Sequence, residues 1–118
     1  MKSLGDHYEQ RAAAWLQAQG LTIAARNFRC ATGEIDIIAW DGAQLVFVEV
    51  RARTNARYAG AAASISARKR HRLVRTAQFY LQQQQTTATV PCRFDVIAFE
   101  PRQSSSSDIR WIRSAFTA

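Results

Sequence analysis

The chain has 118 residues, 47% of them hydrophobic, with 16 Lys and Arg against 9 Asp and Glu, for a formal charge of +7. That length fits one domain, 1–118, with one sizeable core, and no apolar run approaches the roughly 18 residues of a membrane span, so no membrane partner is expected. Residues 1–6 lack the apolar core of a signal peptide, and Cys30 and Cys92 are too few for a disulfide framework and lack metal-ligand spacing. We therefore expect buried thiols in a reduced, cytoplasmic setting.

A first helix is expected over residues 7–19, with Tyr8, Ala12, Trp15 and Leu16 on one stripe. Asp6 can cap it, with Glu9 three residues on, and Gly20 closes it. Residues 21–29 read as a strand. Residues 33–40 and 45–51 then form a hairpin, because both runs are rich in β-branched and aromatic side chains. Asp41-Gly42 between them is the dipeptide that tight hairpin turns favour. With those two residues as the turn, Trp40 faces Ala43 and Glu34 faces Glu49. One face then carries Ile35, Ile37, Ala39, Val46, Val48 and Val50. The other carries Ile38, Trp40, Leu45 and Phe47 near the turn, and Glu34, Asp36, Glu49 and Arg51 at the far end. Like charges directly opposite one another destabilise a strand pair, so a positive group should sit there.

Residues 54–63 are Ala- and Gly-rich without a period and read as a loop. A second helix is expected from Ser64 or Ser66 to about Gln83, with Leu73, Val74, Ala77, Tyr80 and Leu81 as its apolar stripe. Arg68, Arg72 and Arg75 would form a basic ridge on the opposite face. A polar link over 82–89, a strand over 91–99, a loop at 104–107 and a short strand over 109–112 complete the chain. Phe94, Val96 and Ala98 alternate with Arg93, Asp95 and Ile97. The central strands are apolar on both faces, so helices should cover both sides. The expected fold is α/β, a central mixed β-sheet of about five strands flanked by helices.

The charge is unevenly spread. No acidic residue lies between Glu49 and Asp95, and that interval holds nine of the sixteen basic residues. Such clustering of Arg fits a nucleic-acid partner, DNA first and RNA second, as well as a merely solvated face. Arg68, Lys69, Arg72 and Arg75 are the first candidates for phosphate contacts, with Arg53 and Arg57 close after the carboxylates in sequence. Asp36 and Glu49, on adjacent strands, could together hold Mg²⁺ or Mn²⁺, with the Val50 carbonyl as a further ligand. The alternative is a structural ion pair with Arg51.

Residues 33–39 followed by 46–51 resemble the core of the restriction-endonuclease-like nucleases, whose pattern is an Asp on one strand and Glu-x-Lys on the next. Over nearly its whole length the chain is more closely similar to the bacterial YraN-like family, often described as endonuclease-like and related in fold to Holliday junction resolvases. Gly60-Ala61-Ala62-Ala63-Ser64 and Cys92-Arg93-Phe94-Asp95-Val96 belong to that likeness. The resemblance implies a metal-dependent DNA endonuclease, acting on branched or damaged DNA, with a homodimer by analogy. The pattern's Asp falls on Asp36, its Glu on Glu49 and its Lys on Arg51. Arg cannot serve as a general base, so Arg51 would orient water or phosphate. Glu9 matches the acid that resolvase-like members carry on the first helix, although Asp6 and Glu9 also have the spacing of a capping box. Arg51 keeps two other readings open: a non-catalytic nucleic-acid-binding module, and an RNA- or ribosome-associated adaptor.

Overall fold

The computed structural model describes residues 4–52, 65–84, 90–99 and 109–117. Its elements run α1 (Leu4–Ala18), β1 (Thr22–Cys30), β2 (Gly33–Asp41), β3 (Gln44–Ala52), α2 (Ala67–Gln83), β4 (Cys92–Phe99) and β5 (Ile109–Phe116). The five strands form one sheet in the order β1-β2-β3-β4-β5. The β3–β4 pair is parallel and the other pairs are antiparallel. This is the expected α/β architecture with a mixed sheet.

Helices cover both faces because both faces of the central strands are apolar. On one side Ala12, Ala13 and Leu16 of α1 pack on Ile37, Ala39, Val46, Val48, Ile97 and Phe99. On the other, Leu73, Ala77 and Tyr80 of α2 pack on Ile38, Leu45, Phe47, Phe94, Val96 and Ala98. Each fully buried Ile, Leu or Phe stabilises the fold by roughly 1.5–3 kcal/mol.

The hairpin differs from expectation at its turn. Asp41 pairs with Gln44 and Trp40 with Leu45, so the turn is Gly42-Ala43. Gly42 takes φ 60 while Ala43 stays at negative φ. That is the pattern of a type II′ turn, which places Gly first rather than second. Moving the turn by one residue keeps every side chain on its face but re-pairs the strands. Continuing the register from Ile37↔Val48 sets Asp36, not Glu34, opposite Glu49.

A second departure lies at Ile35, which joins the α2-side core while Ile37 faces α1. The alternation breaks around Asp36. There the Asp36 carboxylate, rather than a ladder carbonyl, accepts the Val50 N–H at 2.8 Å. On the neighbouring strand Asn27, between the pairs Arg26↔Ile37 and Phe28↔Ile35, takes φ 53. Such an irregularity bends a strand and re-aims its side chains.

Other boundaries shift. Helix α1 begins at Leu4, so Asp6 lies in its first turn and suits the helix dipole instead of capping it. Strand β5 extends to Phe116, because Phe116 pairs with Phe94 past an irregularity at Phe94/Val96. The thiols are not buried: Cys30 is half-buried, Cys92 is exposed and both are free. They end β1 and begin β4, outside the two core layers. Helix α2 starts at the second of its two expected positions, capped by Ser66, whose hydroxyl accepts the Lys69 N–H. The expected loops over 54–63 and 104–107, and most of the link over 82–89, lie outside the described residues.

Candidate functional site

Each helix delivers one charged side chain to the same end of the sheet. On α1, Ala12, Ala13 and Leu16 are buried at positions i+3, i+4 and i+7 from Glu9. Packing of that stripe carries Glu9 to the sheet. On α2, Leu73, Thr76, Ala77 and Tyr80 are buried at i+4, i+7, i+8 and i+11 from Lys69, again one helical face. Between the helices, β2 supplies Glu34 and Asp36 and β3 supplies Glu49. A carboxylate oxygen of each of Glu9, Glu34 and Asp36 lies within 4.8 Å of the others. Lys69 Nζ stands 2.7 Å from Glu49 Oε2, and Glu34 pairs outward with Arg29 Nε at 2.7 Å.

A cleft of about 330 Å³ opens onto this cluster, lined by Gly33, Glu34, Asp36, Glu49, Lys69 and Arg72. Gly33 has φ 148, and a Cβ there would meet Thr76 Oγ1 at 3.3 Å and Arg72 Cβ at 3.9 Å. The approach of α2 to β2 thus depends on the absence of a side chain at position 33. Thr76 is wholly buried and shares a 2.9 Å hydrogen bond with Thr32, which fixes the helix against the β1–β2 turn.

The carboxyls of the cluster crowd one another. Asp36 and Glu49 are 9% and 6% exposed. Burial first, then the hydrogen bond and charge of Glu49, push the Asp36 carboxyl up to about 9, against partial relief from the Val50 N–H. Glu9 is also raised, chiefly by burial and by the charges of Glu34 and Asp6, while its hydrogen bond to Asp36 and the charge of Arg26 oppose this. Burial and crowding therefore favour a shared proton in the cluster at neutral pH. Two of its oxygens, Glu9 Oε1 and Glu49 Oε2, are buried without a directed hydrogen bond. The Lys69 contact with Glu49 is thus an ionic one. Hard oxygen donors, crowded carboxyls and under-used oxygens suit a divalent ion such as Mg²⁺ or Mn²⁺.

The remaining expected residues are distributed as follows. Asp36, Glu49 and Glu9 come together. Arg51 lies two residues beyond Glu49 on β3, half-buried and paired with Ala98 of β4, whereas the cleft is lined from β2, β3 and α2. Arg68, Arg72 and Arg75 are exposed along α2. Lys69 does not share their outward ridge; the α2 periodicity turns it inward onto Glu49. Arg53 and Arg57 lie outside the described residues. The inward Lys69 and the Gly33–Thr76 contact escaped the sequence reading. The i, i+4, i+7, i+8 spacing from Lys69 through Leu73, Thr76 and Ala77 carried the first of these signals.

A mixed α/β sheet with an acidic cluster at one sheet end and an Arg-bearing helix beside it defines a class of site, and similarity gives the family. The profile of Uncharacterised protein family UPF0102 matches residues 8–99. A UPF0102 protein of Methylobacillus flagellatus is 48% identical over 118 residues, all of both chains. One from Aeromonas hydrophila is 49% identical over 115 residues, covering 97% of this chain and 85% of its own. A third, from Klebsiella pneumoniae, is 46% identical over 116 residues, covering 98% and 87%. The chain belongs to the UPF0102 family, as its YraN-like resemblance implied. Among the described residues no helix is long and apolar enough to cross a membrane.

Proposed function

We propose that this protein is a metal-dependent phosphodiesterase acting on DNA. The observation that supports it most is the convergence of Glu9, Asp36 and Glu49 from three elements, which pushes the Asp36 carboxyl up to about 9, beside a cleft lined by Arg72. Asp36 and Glu49 would hold Mg²⁺ or Mn²⁺, with Glu9 completing the set. Such an ion, when bound, activates water and stabilises charge on the phosphoryl oxygens. Water attacks phosphorus, one backbone P–O bond breaks, and the water's proton ends on the leaving oxygen. The products are a phosphomonoester and a free hydroxyl. Arg68, Arg72 and Arg75 lie where they can hold the phosphate backbone without reading sequence. A branched or damaged substrate and a dimer that cuts two strands follow from the resolvase likeness.

The test is incubation with labelled single-stranded, duplex, flap and four-way-junction DNA with Mg²⁺ or Mn²⁺, beside Asp36→Asn. Cleavage absent from the variant is expected. Binding with no cleavage under either metal would favour a nucleic-acid-binding module, the reading that Arg51 in the place of Lys supports. An RNA panel in the same assay separates the adaptor reading. Substituting Arg72 or Arg75 by Ala should each reduce the slope of log affinity against log salt by about 0.9 on duplex DNA.

A further inference from the structure

Helix α2 starts against a common rule. The first turn of a helix favours acids, because the dipole's positive end is there. This one has no acid and carries Arg68-Lys69-Arg70 directly after its Ser66 cap. Local rules are broken in this way mostly at functional sites. Arg68 and Arg70 are exposed to water, whereas the buried stripe of α2 and the cap turn the half-buried Lys69 onto Glu49 at 2.7 Å. The Lys69 side chain is still 41% exposed and lines the same cleft as Asp36 and Glu49. It therefore reaches both a carboxylate and the space a phosphate would enter.

We propose that Lys69 supplies from α2 the lysine that the nuclease pattern puts on β3, where this chain has Arg51. Without a divalent ion Lys69 is the counter-cation of Glu49. When an ion takes Glu49, Lys69 is released to a non-bridging oxygen of the phosphate under attack, and stabilises the charge that builds there. The second role rests on the phosphodiesterase reading; the first does not.

The two roles give opposite signs in one variant. Lys69→Met removes a competing cation, so Mn²⁺ binding measured by calorimetry should tighten by about fivefold or more. The single-turnover cleavage rate at saturating DNA should nevertheless fall by about 10²- to 10³-fold, the usual loss for one charge-stabilising donor. DNA affinity measured without metal should change little. Arg70→Met, which removes an exposed charge from the same turn, controls for the general field of the helix. Unchanged Mn²⁺ affinity in Lys69→Met, or equal tightening in Arg70→Met, overturns the proposal whatever the cleavage shows. Tighter Mn²⁺ binding with a wild-type cleavage rate overturns the second role. A wild-type protein that cuts nothing in the DNA panel overturns the phosphodiesterase reading and that second role together, and the Mn²⁺ comparison still decides the first.

Discussion

Two groups of buried acids occupy this sheet, and their surroundings differ in kind. Asp95 on β4 is 1% exposed and fully served. Arg93 Nε donates to both its oxygens at 3.1 Å, Trp111 Nε1 donates at 2.9 Å and the Ser114 N–H at 2.9 Å. Arg93 in turn reaches Gln44 and Asp41 at the hairpin's turn. This is an acid used as a clamp between β4, β5 and the hairpin. At the other end of the hairpin, Glu9, Glu34 and Asp36 face one another, Glu49 presses on Asp36, Lys69 pairs with Glu49 and Arg29 pairs with Glu34. A buried charge with a full set of partners holds a fold together. In the acidic cluster the Asp36 carboxyl is instead pushed well above its ordinary range, and on the proposed reading a divalent ion would take the place of its proton.

The contrast can be broken most forcefully at Asp95. Asp95→Ala takes the acceptor from Arg93 Nε, Trp111 Nε1 and the Ser114 N–H, beside an Arg93 side chain that is 12% exposed, and should cost about 3–5 kcal/mol in urea denaturation. Divalent ion should act only at the other cluster. With Mn²⁺ at a hundred times its dissociation constant, wild type at pH 8 should gain about 2.7 kcal/mol, and Asp36→Asn should gain nothing. Gly33→Ala, at φ 148 and facing Thr76 Oγ1, should cost about 2 kcal/mol and weaken metal binding by moving α2 away from β2.

The last prediction turns on its sign. Native Asp36 keeps its proton to about pH 9, while the unfolded chain loses it near 3.8. Through that window the native state binds more protons, so the free energy of unfolding falls as pH rises. Metal-free wild type should therefore lose stability between about pH 4 and 9, as followed by thermal denaturation. At pH 8 without metal, Asp36→Asn should be more stable than wild type by about 1 kcal/mol, because Asn donates without ionising. The same substitution at Asp95 should destabilise.

Much of this was legible in the sequence because it depends on period. Two-residue alternation gave the hairpin and the mixed sheet, and with them Asp36 and Glu49 as neighbours. Helical spacing gave the Arg68–Arg72–Arg75 face. What escaped depends on local backbone geometry. Asp-Gly suits a type I′ turn and a lone leading Gly suits type II′; the strand pattern has the same parity in both, so the pattern does not tell the two registers apart, and the observed one sets Asp36 rather than Glu34 opposite Glu49. The break in alternation between Ile35 and Ile37 follows from a side chain replacing a ladder hydrogen bond, which no hydrophobic pattern records. Lys69 was grouped with its charged neighbours by composition, although its spacing to Leu73 and Ala77 places it on the buried stripe.

The central claim is that the acidic cluster exchanges a proton for a divalent ion. Calorimetric Mn²⁺ titration in buffers of differing ionisation enthalpy measures both events at once. The account predicts saturable binding at pH 7 with about one proton released per ion, falling away above pH 9. Saturable binding without proton release, or no binding at millimolar Mn²⁺, would contradict it.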